Sequence, residues 1–356
     1  MKNTVSKFGE RDAFVFPNHK LNYKEFDHLV DKLATGFMTI GLKKGDRLGV
    51  WSPNRLEWVL TQFATARIGV ILVNINPAYR LSELEYSLNK VGCKALILAK
   101  NFKTSEYFKM ILSLAPELKT SKKGKLQTKN LPQLNHVVLM DKVDKSYSGV
   151  WMFEEIFNLG GDKEKKKLIE IDKKLKPDDA INIQFTSGTT GQPKGATLSH
   201  YNIVNNGSFV TGRIKLTEKD RLALPVPLYH CFGMVMGVLG AVSKGAAIIF
   251  PGESFDAKET LDVLVKEKCT ALYGVPTMFV AILEELNKSS SDLSNMRTGI
   301  MAGALCPIEV MKKVNDLMNM KEVTICYGMT ETSPVSFQSF VNDPTEKRCK
   351  TVGRVH

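Results

Sequence analysis

The sequence predicts an α/β protein with two lobes of mainly parallel sheet. Strand-like runs alternate with helix-like runs along most of its 356 residues, which is the pattern of parallel strands joined by helical crossovers. The chain is longer than one simple core requires, so we place a first lobe at residues 1–176 and a second at residues 177–356. A glycine-rich stretch that follows a predicted strand, residues 185–195, is the candidate ligand loop.

In the first lobe, apolar residues at helical spacing follow Leu21, and Gly41 and Gly45 end that helix. Asn54 is a candidate N-cap for the next helix. The lobe's other elements are predicted as strands at 14–16, 47–51, 70–73, 95–98 and 136–140 and as helices at 81–91 and 104–114. Two lysine-rich stretches, 119–129 and 163–176, are expected to form exposed connections or a surface helix.

The second lobe resumes the alternation after Pro177. Strands are predicted at 181–186, 221–224, 246–250, 271–273, 298–301 and 323–326, and helices at 201–211, 257–266, 276–286 and 307–318. In the first of these strands, Ile181, Ile183 and Phe185 alternate with two amides. That alternation predicts a half-buried strand leading into the glycine-rich loop.

The formal net charge of +12 could indicate a nucleic-acid or membrane-lipid partner. Much of the excess lies in the two lysine-rich stretches, which have few aromatics and no recognition motif, so we expect solvated surface and no nucleic-acid partner. No apolar run is long enough for a transmembrane segment, and no signal core or transit segment is visible. Six scattered cysteines without metal-ligand spacing predict reduced, mostly buried thiols in an intracellular compartment.

The glycine-rich loop is suited to holding phosphate. Three glycines let the backbone bend toward a ligand, and four hydroxyls and one lysine can donate to anionic oxygens. These residues are Thr186, Ser187, Gly188, Thr189, Thr190, Gly191, Lys194 and Gly195. The stretch is not a Walker loop, because Pro193 stands where that motif needs glycine. The alternative interpretation is a polar surface hairpin.

Three further stretches follow predicted strands, which is where open α/β sheets place ligands. Residues 227–233 contain His230, residues 302–304 are small, and residues 327–331 combine an aromatic ring, a hydroxyl and a carboxylate. The alternatives are an aromatic loop with His230 hydrogen-bonded internally, simple tight packing, and a turn between strands, respectively.

Taken together, these residues resemble the adenylate-forming superfamily, which includes acyl-CoA synthetases, luciferases and the adenylation domains of peptide synthetases. Residues 185–195 are similar to its phosphate-loop signature, and residues 327–331 to its Tyr-Gly-x-Thr-Glu signature. Two such motifs, in the correct order and well separated along the sequence, are specific for this superfamily. Further segments of the sequence resemble mitochondrial medium-chain acyl-CoA ligases, namely residues 76–79, 91–95, 181–186, 196–206 and 274–280. The resemblance implies the large N-terminal domain of such an enzyme, with two α/β lobes.

The reaction that this resemblance implies uses ATP, Mg²⁺ and coenzyme A. A fatty carboxylate attacks the α-phosphorus of ATP to give an acyl-adenylate and pyrophosphate, and the coenzyme A thiol then displaces AMP. The site must supply positive charge so that two anions can approach. A mitochondrial location is also implied by the resemblance alone.

The resemblance assigns a role to each matching residue. The loop residues Thr186, Ser187, Gly188, Thr189, Thr190, Gly191, Gln192, Pro193 and Lys194 would hold the β- and γ-phosphates. Gly303 and Ala304 would line the adenine site, and Tyr327 would stack on the base. The catalytic candidates would be Lys194, Thr330 at the α-phosphate, Glu331 as the magnesium ligand and His230 beside the carboxylate. Candidates for the acyl pocket are Phe232, Gly233 and Gly237.

The superfamily's pattern continues with a Thr-Gly-Asp segment that binds ribose, a hinge and a small domain that carries a catalytic lysine. None of these is in this sequence. Two hypotheses follow: an acyl-CoA ligase represented by most of its large domain, or a truncated, catalytically incompetent remnant that binds nucleotide or acyl groups.

Overall fold

The computed structural model describes residues 1–143, 147–186 and 192–356. The strands are β1 Asp12–Phe16, β2 His19–Asn22, β3 Arg47–Trp51, β4 Ile71–Asn74, β5 Cys93–Leu98, β6 His136–Leu139, β7 Val150–Met152, β8 Ala180–Thr186, β9 Lys194–Ser199, β10 Arg221–Ala223, β11 Ala247–Ile249, β12 Ala271–Gly274, β13 Thr298–Ala302, β14 Glu322–Gly328, β15 Val335–Gln338 and β16 Arg354–Val355.

The α-helices are α1 Lys2–Phe8, α2 Tyr23–Thr39, α3 Leu56–Ile68, α4 Leu81–Val91, α5 Tyr107–Leu114, α6 Phe153–Ile156, α7 Asp162–Asp172, α8 His200–Arg213, α9 Gly240–Lys244, α10 Ala257–Lys266, α11 Pro276–Leu286, α12 Ile308–Leu317 and α13 Thr345–Lys350. A π-helix occupies Phe232–Leu239, and short 3₁₀ helices occupy Pro116–Lys119 and Thr330–Thr332.

The predicted alternation of strands and helices is confirmed. Strand β3 and helices α4, α10 and α11 have the predicted bounds. The proposed N-cap at Asn54 is wrong, because α3 begins at Leu56 and its N-cap residue is Arg55, which makes no side-chain cap hydrogen bond. Part of the second lysine-rich stretch forms α7, whose one buried side chain is Leu168.

One compact unit comprises residues 28–201, and we call it the central unit. Its described strands form one sheet in the order β7-β6-β5-β3-β4-β8-β9. Neighbours in this sheet are parallel except β8 and β9, which pair antiparallel. Helix α3 is buried along most of its length, including Trp58 and Phe63, as expected for a helix that covers a parallel sheet.

The prediction that β8 is half-buried is wrong. Residues 181–184 are all buried, since β8 pairs with β4 on one side and β9 on the other. The two amides stay satisfied inside the protein: Asn182 Nδ2 donates to Leu72 O at 3.1 Å and to Asn74 Oδ1 at 3.0 Å, and Gln184 Nε2 donates to Asn182 Oδ1 at 2.8 Å. Buried amides joined in this way fix the strand that leads to the candidate loop.

The second compact unit comprises residues 1–27 and 202–356, and we call it the terminal unit. Its described strands form one sheet in the order β16-β15-β14-β13-β12-β10-β11-β1-β2. From β14 to β1 every neighbouring pair is parallel, with antiparallel strands at both edges. Helices α10, α11 and α12 supply much of an apolar core that includes Phe279 and Met311.

These units divide the chain at other residues than the predicted lobes, 1–176 and 177–356. Two pairings cause the difference. Strands β8 and β9 join the sheet of the central unit through β4, and β1 joins the sheet of the terminal unit through β11. Sequence order alone does not indicate which sheet such a strand enters.

An ionic cluster lies at the amino ends of the terminal unit's parallel strands. Asp220 Oδ2 accepts from Arg297 Nη2 at 2.7 Å, Asp220 Oδ1 accepts from Thr270 Oγ1 at 2.7 Å, and Arg297 also pairs with Glu322 at 2.8 Å. The Asp220 side chain is only 5% exposed. Burial alone would raise the pKa of Asp220, but hydrogen bonds from Arg297 and Thr270 outweigh burial and lower it.

We expect Asp220→Asn to lower the free energy of unfolding by about 2 kcal/mol at pH 7, because it leaves part of the Arg297 charge uncompensated. A carboxylate with a lowered folded-state pKa stabilises the fold above its ordinary pKa of 3.8 and loses that contribution as pH falls through the lowered value. The difference in free energy of unfolding between wild type and variant, measured in urea, should therefore shrink as the pH falls below 3.8 and through the lowered pKa of Asp220. Asp262→Asn, which breaks an exposed pair with Lys258, is the control and should change stability by less than about 0.5 kcal/mol.

Candidate functional site

The candidate phosphate loop connects the two strands of a hairpin in the central unit. Strand β8 ends at Thr186, β9 begins at Lys194, and these two residues are register partners. The predicted residues Ser187, Gly188, Thr189, Thr190 and Gly191 lie outside the described residues. The sequence did not predict β9, although its alternative interpretation of the loop as a hairpin matches this pairing.

The described residues at the end of the loop are held in place by α4. Tyr86 Oη donates to Pro193 O at 3.2 Å. A Cβ on Gly195 would lie 3.2 Å from Ile183 Cγ2, so close packing on β8 favours glycine there. Lys194 and Gln192 are exposed, and within the described ranges Lys194 forms no ion pair. Lys194 therefore presents an uncompensated cation at the start of β9.

Sequence reasoning missed Tyr86. It is the one aromatic residue of the amphipathic helix α4, and its spacing gave no sign that its hydroxyl reaches the loop.

In the terminal unit, the other three predicted stretches lie at the carboxyl ends of β10, β13 and β14; Ala302 is the last residue of β13, and Tyr327 and Gly328 are the last two of β14. The order β14-β13-β12-β10 makes these strands near neighbours. The prediction that these stretches follow strand ends is therefore confirmed, and they share one edge of the sheet.

His230 lies in the loop after β10. The backbone N–H of Phe232 donates to His230 Nδ1 at 3.1 Å, which places the proton of the neutral ring on Nε2. His230 as a whole residue is exposed to solvent. The protein atoms packed around its ring nevertheless disfavour the charged form and lower its pKa by desolvation. At neutral pH His230 is therefore an uncharged hydrogen-bond donor through Nε2–H. The alternative interpretation, in which His230 is only hydrogen-bonded internally, explains the role of Nδ1 but not that of Nε2.

Cys231 connects the His230 loop with the segment after β14. Its Sγ lies 3.5 Å from His230 Nδ1 and 3.8 Å from Thr330 Oγ1. Burial is the main cause that raises the pKa of this thiol to about 11, so it stays protonated at neutral pH. Sequence analysis treated Cys231 as an ordinary buried thiol, because nothing in the sequence places it against Thr330.

The segment after β14 forms a tight turn that exposes its polar side chains. A Cβ on Gly328 would lie 1.9 Å from Pro334 O, so only glycine allows the chain to double back. The turn continues through the 3₁₀ helix Thr330–Thr332. Tyr327 is 52% exposed and Glu331 is exposed. The alternative interpretation of this segment was a turn between strands. The backbone does form a turn, and Tyr327, Thr330 and Glu331 project from it.

Asn206 of α8 holds the strand that follows this turn. Its Nδ2 donates to Val335 O at 2.8 Å, and its Oδ1 accepts from the Val335 backbone N–H at 3.1 Å. The side chain is buried, so both bonds are protected from water. A polar residue on the buried face of a predicted helix is the signal that could have identified this support.

The small residues after β13 leave an open surface. Gly303 has φ +88°, a conformation that favours glycine, and a Cβ there would lie 3.1 Å from Val275 Cγ1. Both Gly303 and Ala304 are exposed. Such a backbone surface has room for a flat ring, as the sequence interpretation requires.

The three acyl-pocket candidates lie in the buried π-helix. Cβ atoms on Gly233 and Gly237 would lie 2.3 Å from Pro227 O and 2.5 Å from Leu224 Cδ1. Phe232 stacks on Tyr273, with ring centroids 5.8 Å apart. Close packing therefore explains both glycines, and their role in an acyl pocket stays a prediction. A π-helix is rare and is frequently found at functional sites.

Several general expectations can be compared with the described part of the chain. No three His, Cys, Asp or Glu side chains gather there in a way that could hold a metal ion. The six cysteines are free thiols, four of them buried, as the sequence predicts. Among the described helices, none has the length and apolar character needed to cross a membrane.

The fold is that of the N-terminal domain of an adenylate-forming enzyme. It superposes with a TM-score of 0.82 on the inhibitor-bound crystal structure of the N-terminal domain of FACL13 from Mycobacterium tuberculosis, covering 99% of this chain and 80% of that chain at 22% identity. The chain belongs to the family of AMP-binding enzymes, which matches residues 1–356. The resemblance seen in the sequence is thereby confirmed.

Two curated relatives give the position within the family. The chain is 44% identical over 359 residues to the medium-chain acyl-CoA ligase ACSF2, mitochondrial, of Rattus norvegicus, covering 99% of this chain and 58% of that protein. It is 42% identical over 356 residues to the putative acyl-CoA synthetase YngI of Bacillus subtilis, covering 99% of this chain and 64% of that protein. The chain thus spans about three fifths of the length of these relatives.

Proposed function

We propose that this chain carries the ATP-binding and acyl-binding part of an AMP-forming fatty acyl-CoA ligase. The observation that carries the proposal is the arrangement at one sheet edge, where the loop after β10 and the turn after β14 meet through Cys231 and Thr330. This arrangement brings a neutral histidine donor toward the Tyr-Gly-x-Thr-Glu turn. The 44% identity to a medium-chain acyl-CoA ligase supports the choice of a fatty acid as the substrate.

In the first proposed step, a carboxylate oxygen attacks the α-phosphorus of ATP, and the bond to pyrophosphate breaks with its electron pair leaving on pyrophosphate. Lys194, exposed and without an ion pair among the described residues, would neutralise charge on the outer phosphates. Thr330 Oγ1 would donate to the α-phosphate, while Tyr327 and the surface at Gly303 and Ala304 would take the adenine ring. His230 would donate Nε2–H to the carboxylate and orient it.

In the second proposed step, the sulfur of coenzyme A forms a bond to the acyl carbon, AMP leaves with the electron pair of the broken C–O bond, and the thiol proton passes to solvent water. His230 serves as an orienting donor because its lowered pKa keeps it uncharged at neutral pH. A neutral donor can bind an anionic substrate without forming an ion pair that the reaction would then have to break.

Glu331 fits the role of a magnesium ligand. It offers hard carboxylate oxygens from an exposed turn next to Thr330, which is the donor type that Mg²⁺ prefers. When bound, the ion would supply positive charge to the phosphates.

Medium chain length and a mitochondrial location are finer proposals that rest on the name of the rat relative. The bacterial relative has nearly the same identity, so the location is supported less well than the reaction. Neither proposal depends on the geometry of the described residues.

A non-reacting acyl-adenylate analogue tests the proposed function on residues 1–356 directly. We expect 5′-O-(N-octanoylsulfamoyl)adenosine to raise the melting temperature more than AMP or octanoate alone, because it occupies the nucleotide and acyl sites together. Acetyl and palmitoyl analogues compare chain lengths. The absence of a shift with all three analogues and with AMP would overturn the proposal.

Glu331→Gln should raise the Mg²⁺ concentration needed for half-maximal ATP binding by about tenfold, since a neutral amide is a poorer ligand for a hard cation. The side chain is exposed, so the free energy of unfolding should change by less than about 0.5 kcal/mol. Calorimetric ATP titrations at several Mg²⁺ concentrations measure the first effect. Glu309→Gln, an exposed change on α12, is the control. Loss of stability with normal Mg²⁺ dependence would show that Glu331 is only part of a structural turn.

A further inference from the structure

Helix α4 contacts the end of the candidate phosphate loop, and both elements belong to the central unit. Tyr86 Oη donates to Pro193 O at 3.2 Å. A Cβ on Gly195 would lie 3.5 Å from Val91 Cγ1, so the last residue of α4 also lies close to the start of β9. The helix therefore approaches the chain on both sides of Lys194.

The Tyr86 hydroxyl acts on the peptide bond that joins Pro193 to Lys194, because its acceptor is the carbonyl of that bond. A peptide unit is planar, so a hydrogen bond to its oxygen restrains the whole unit, including the N–H and Cα of Lys194. The proline ring fixes φ of Pro193, which leaves ψ of Pro193 as the rotation that this hydrogen bond restrains. Lys194 is thereby oriented from its backbone, although the residue is exposed.

Helix α4 can hold this hydrogen bond because the helix is itself fixed at both ends and along one face. At its carboxyl end, Arg47 donates from Nε to Val91 O at 2.7 Å and from Nη2 to Gly92 O at 2.8 Å. At its amino end, Glu83 Oε2 accepts from the Arg80 backbone N–H at 3.1 Å. Three of its residues are buried, Leu84, Ser87 and Leu88. A donor on such a fixed helix places its acceptor more precisely than a donor on a loop.

We propose that Tyr86 is a positioning residue for Lys194 and thereby contributes to recognition of the outer phosphates of ATP. This inference rests on the proposed function, in which Lys194 neutralises charge on those phosphates. Lysine carries a point charge on a flexible stem, so a backbone that already points it toward the phosphates reduces the side-chain ordering that binding must supply. AMP has neither outer phosphate, and its binding should not depend on this hydrogen bond.

The alternative interpretation is that Tyr86 only stabilises the hairpin of β8 and β9. A purely structural role would lower the melting temperature and would change the binding of ATP and AMP equally or not at all. A positioning role weakens the binding of ATP and leaves that of AMP unchanged. The ratio of the two dissociation constants therefore separates the two roles.

Tyr86→Phe removes the hydroxyl and keeps the ring. In calorimetric titrations of residues 1–356 with Mg²⁺ present, the dissociation constant for ATP should rise about three- to tenfold, as expected for loss of one neutral hydrogen bond. The constant for AMP should stay within about twofold. Tyr107→Phe is the matched control, because it removes a hydroxyl that donates to another proline carbonyl of the central unit, Pro77 O at 2.7 Å. This control should bind both nucleotides as wild type does.

The double variant Tyr86→Phe, Lys194→Ala tests whether the hydroxyl acts through Lys194. If it does, Tyr86→Phe causes no further loss of ATP binding once the lysine side chain is absent, so the two effects are not additive. Independent effects that multiply would overturn the proposal, as would an unchanged ratio of the ATP and AMP constants in Tyr86→Phe. Circular dichroism melting of each variant verifies that the fold is retained.

The acyl-adenylate analogue distinguishes failure of this inference from failure of the proposed function. 5′-O-(N-octanoylsulfamoyl)adenosine has neither outer phosphate, so it should bind wild type and Tyr86→Phe equally. If the analogue binds and Tyr86→Phe leaves the ratio of the ATP and AMP constants unchanged, the positioning role is overturned and the proposed function stands. If neither the analogue nor ATP binds the wild-type chain, both proposals are overturned.

Discussion

Residues 1–356 alone, given ATP, Mg²⁺, octanoate and coenzyme A, are expected to form no acyl-CoA above background. The same residues joined to the remainder of the rat relative beyond the matched region should form it readily. The reason lies in what the reaction needs besides phosphate binding. The family's ribose-binding aspartate and C-terminal catalytic lysine, which the sequence resemblance implies for a complete ligase, hold the reacting groups in line and exclude water.

The product is measured as octanoyl-CoA by mass spectrometry, with both proteins at equal concentration. The joined protein with its C-terminal lysine changed to alanine is the matched control, because it contains the relative's C-terminal part without the proposed catalytic group. Robust thioester formation by residues 1–356 alone would show that the catalytic residues have been assigned wrongly. ATP binding without activity in the joined protein would instead favour the remnant hypothesis.

Lys194→Ala, made in the joined protein, should raise the KM for ATP or lower its kcat/KM by about ten- to a hundredfold. Loss of one charge-assisted contact to phosphate corresponds to about 1.5–3 kcal/mol. The KM for octanoate should stay within about twofold, because the cation serves the phosphates. Stability should be unchanged, since Lys194 is exposed and makes no ion pair within the described ranges.

Two companion variants make this result interpretable. Lys194→Arg keeps the charge and should recover part of the ATP dependence. Lys90→Ala removes an exposed lysine from α4, the helix that also carries Tyr86, and should behave as wild type. Equal losses of ATP use in both alanine variants would point to a general effect of charge and contradict a specific role for Lys194.

The parts of the fold that followed local pattern were predictable from the sequence. Helix α4 and strand β3 were predicted with their observed bounds, because apolar periodicity and glycine at the helix end are local signals. The pairing of β1 with β11 was not predictable in this way, since 230 or so residues separate them and no local signal specifies a distant partner. Strand β8 was assigned the wrong burial because its amides bond to one another inside the protein.

The same distinction between local sequence signals and long-range contacts applies to the candidate site. His230, Thr330 and Glu331 could be proposed because their residue types and order form signatures. Cys231 and Asn206 could not, since their importance comes from contacts to Thr330 and Val335 across the fold. The five loop positions outside the described residues, Ser187, Gly188, Thr189, Thr190 and Gly191, remain sequence predictions.

The pairing of β1 with β11 has a consequence for biosynthesis. Phe14 and Val15 lie in register with Ile248 and Ile249, so the first strand cannot complete its pairing until residues 247–249 have left the ribosome. Residues 28–201 can complete their own sheet in that interval, because all of its strands are then available. During that time β1 can pair with β2 on one side, but its other edge stays open to chaperone binding or to aggregation. Slower translation while residues 247–249 are still inside the ribosome would prolong this exposure, whereas a pause after they have emerged would not.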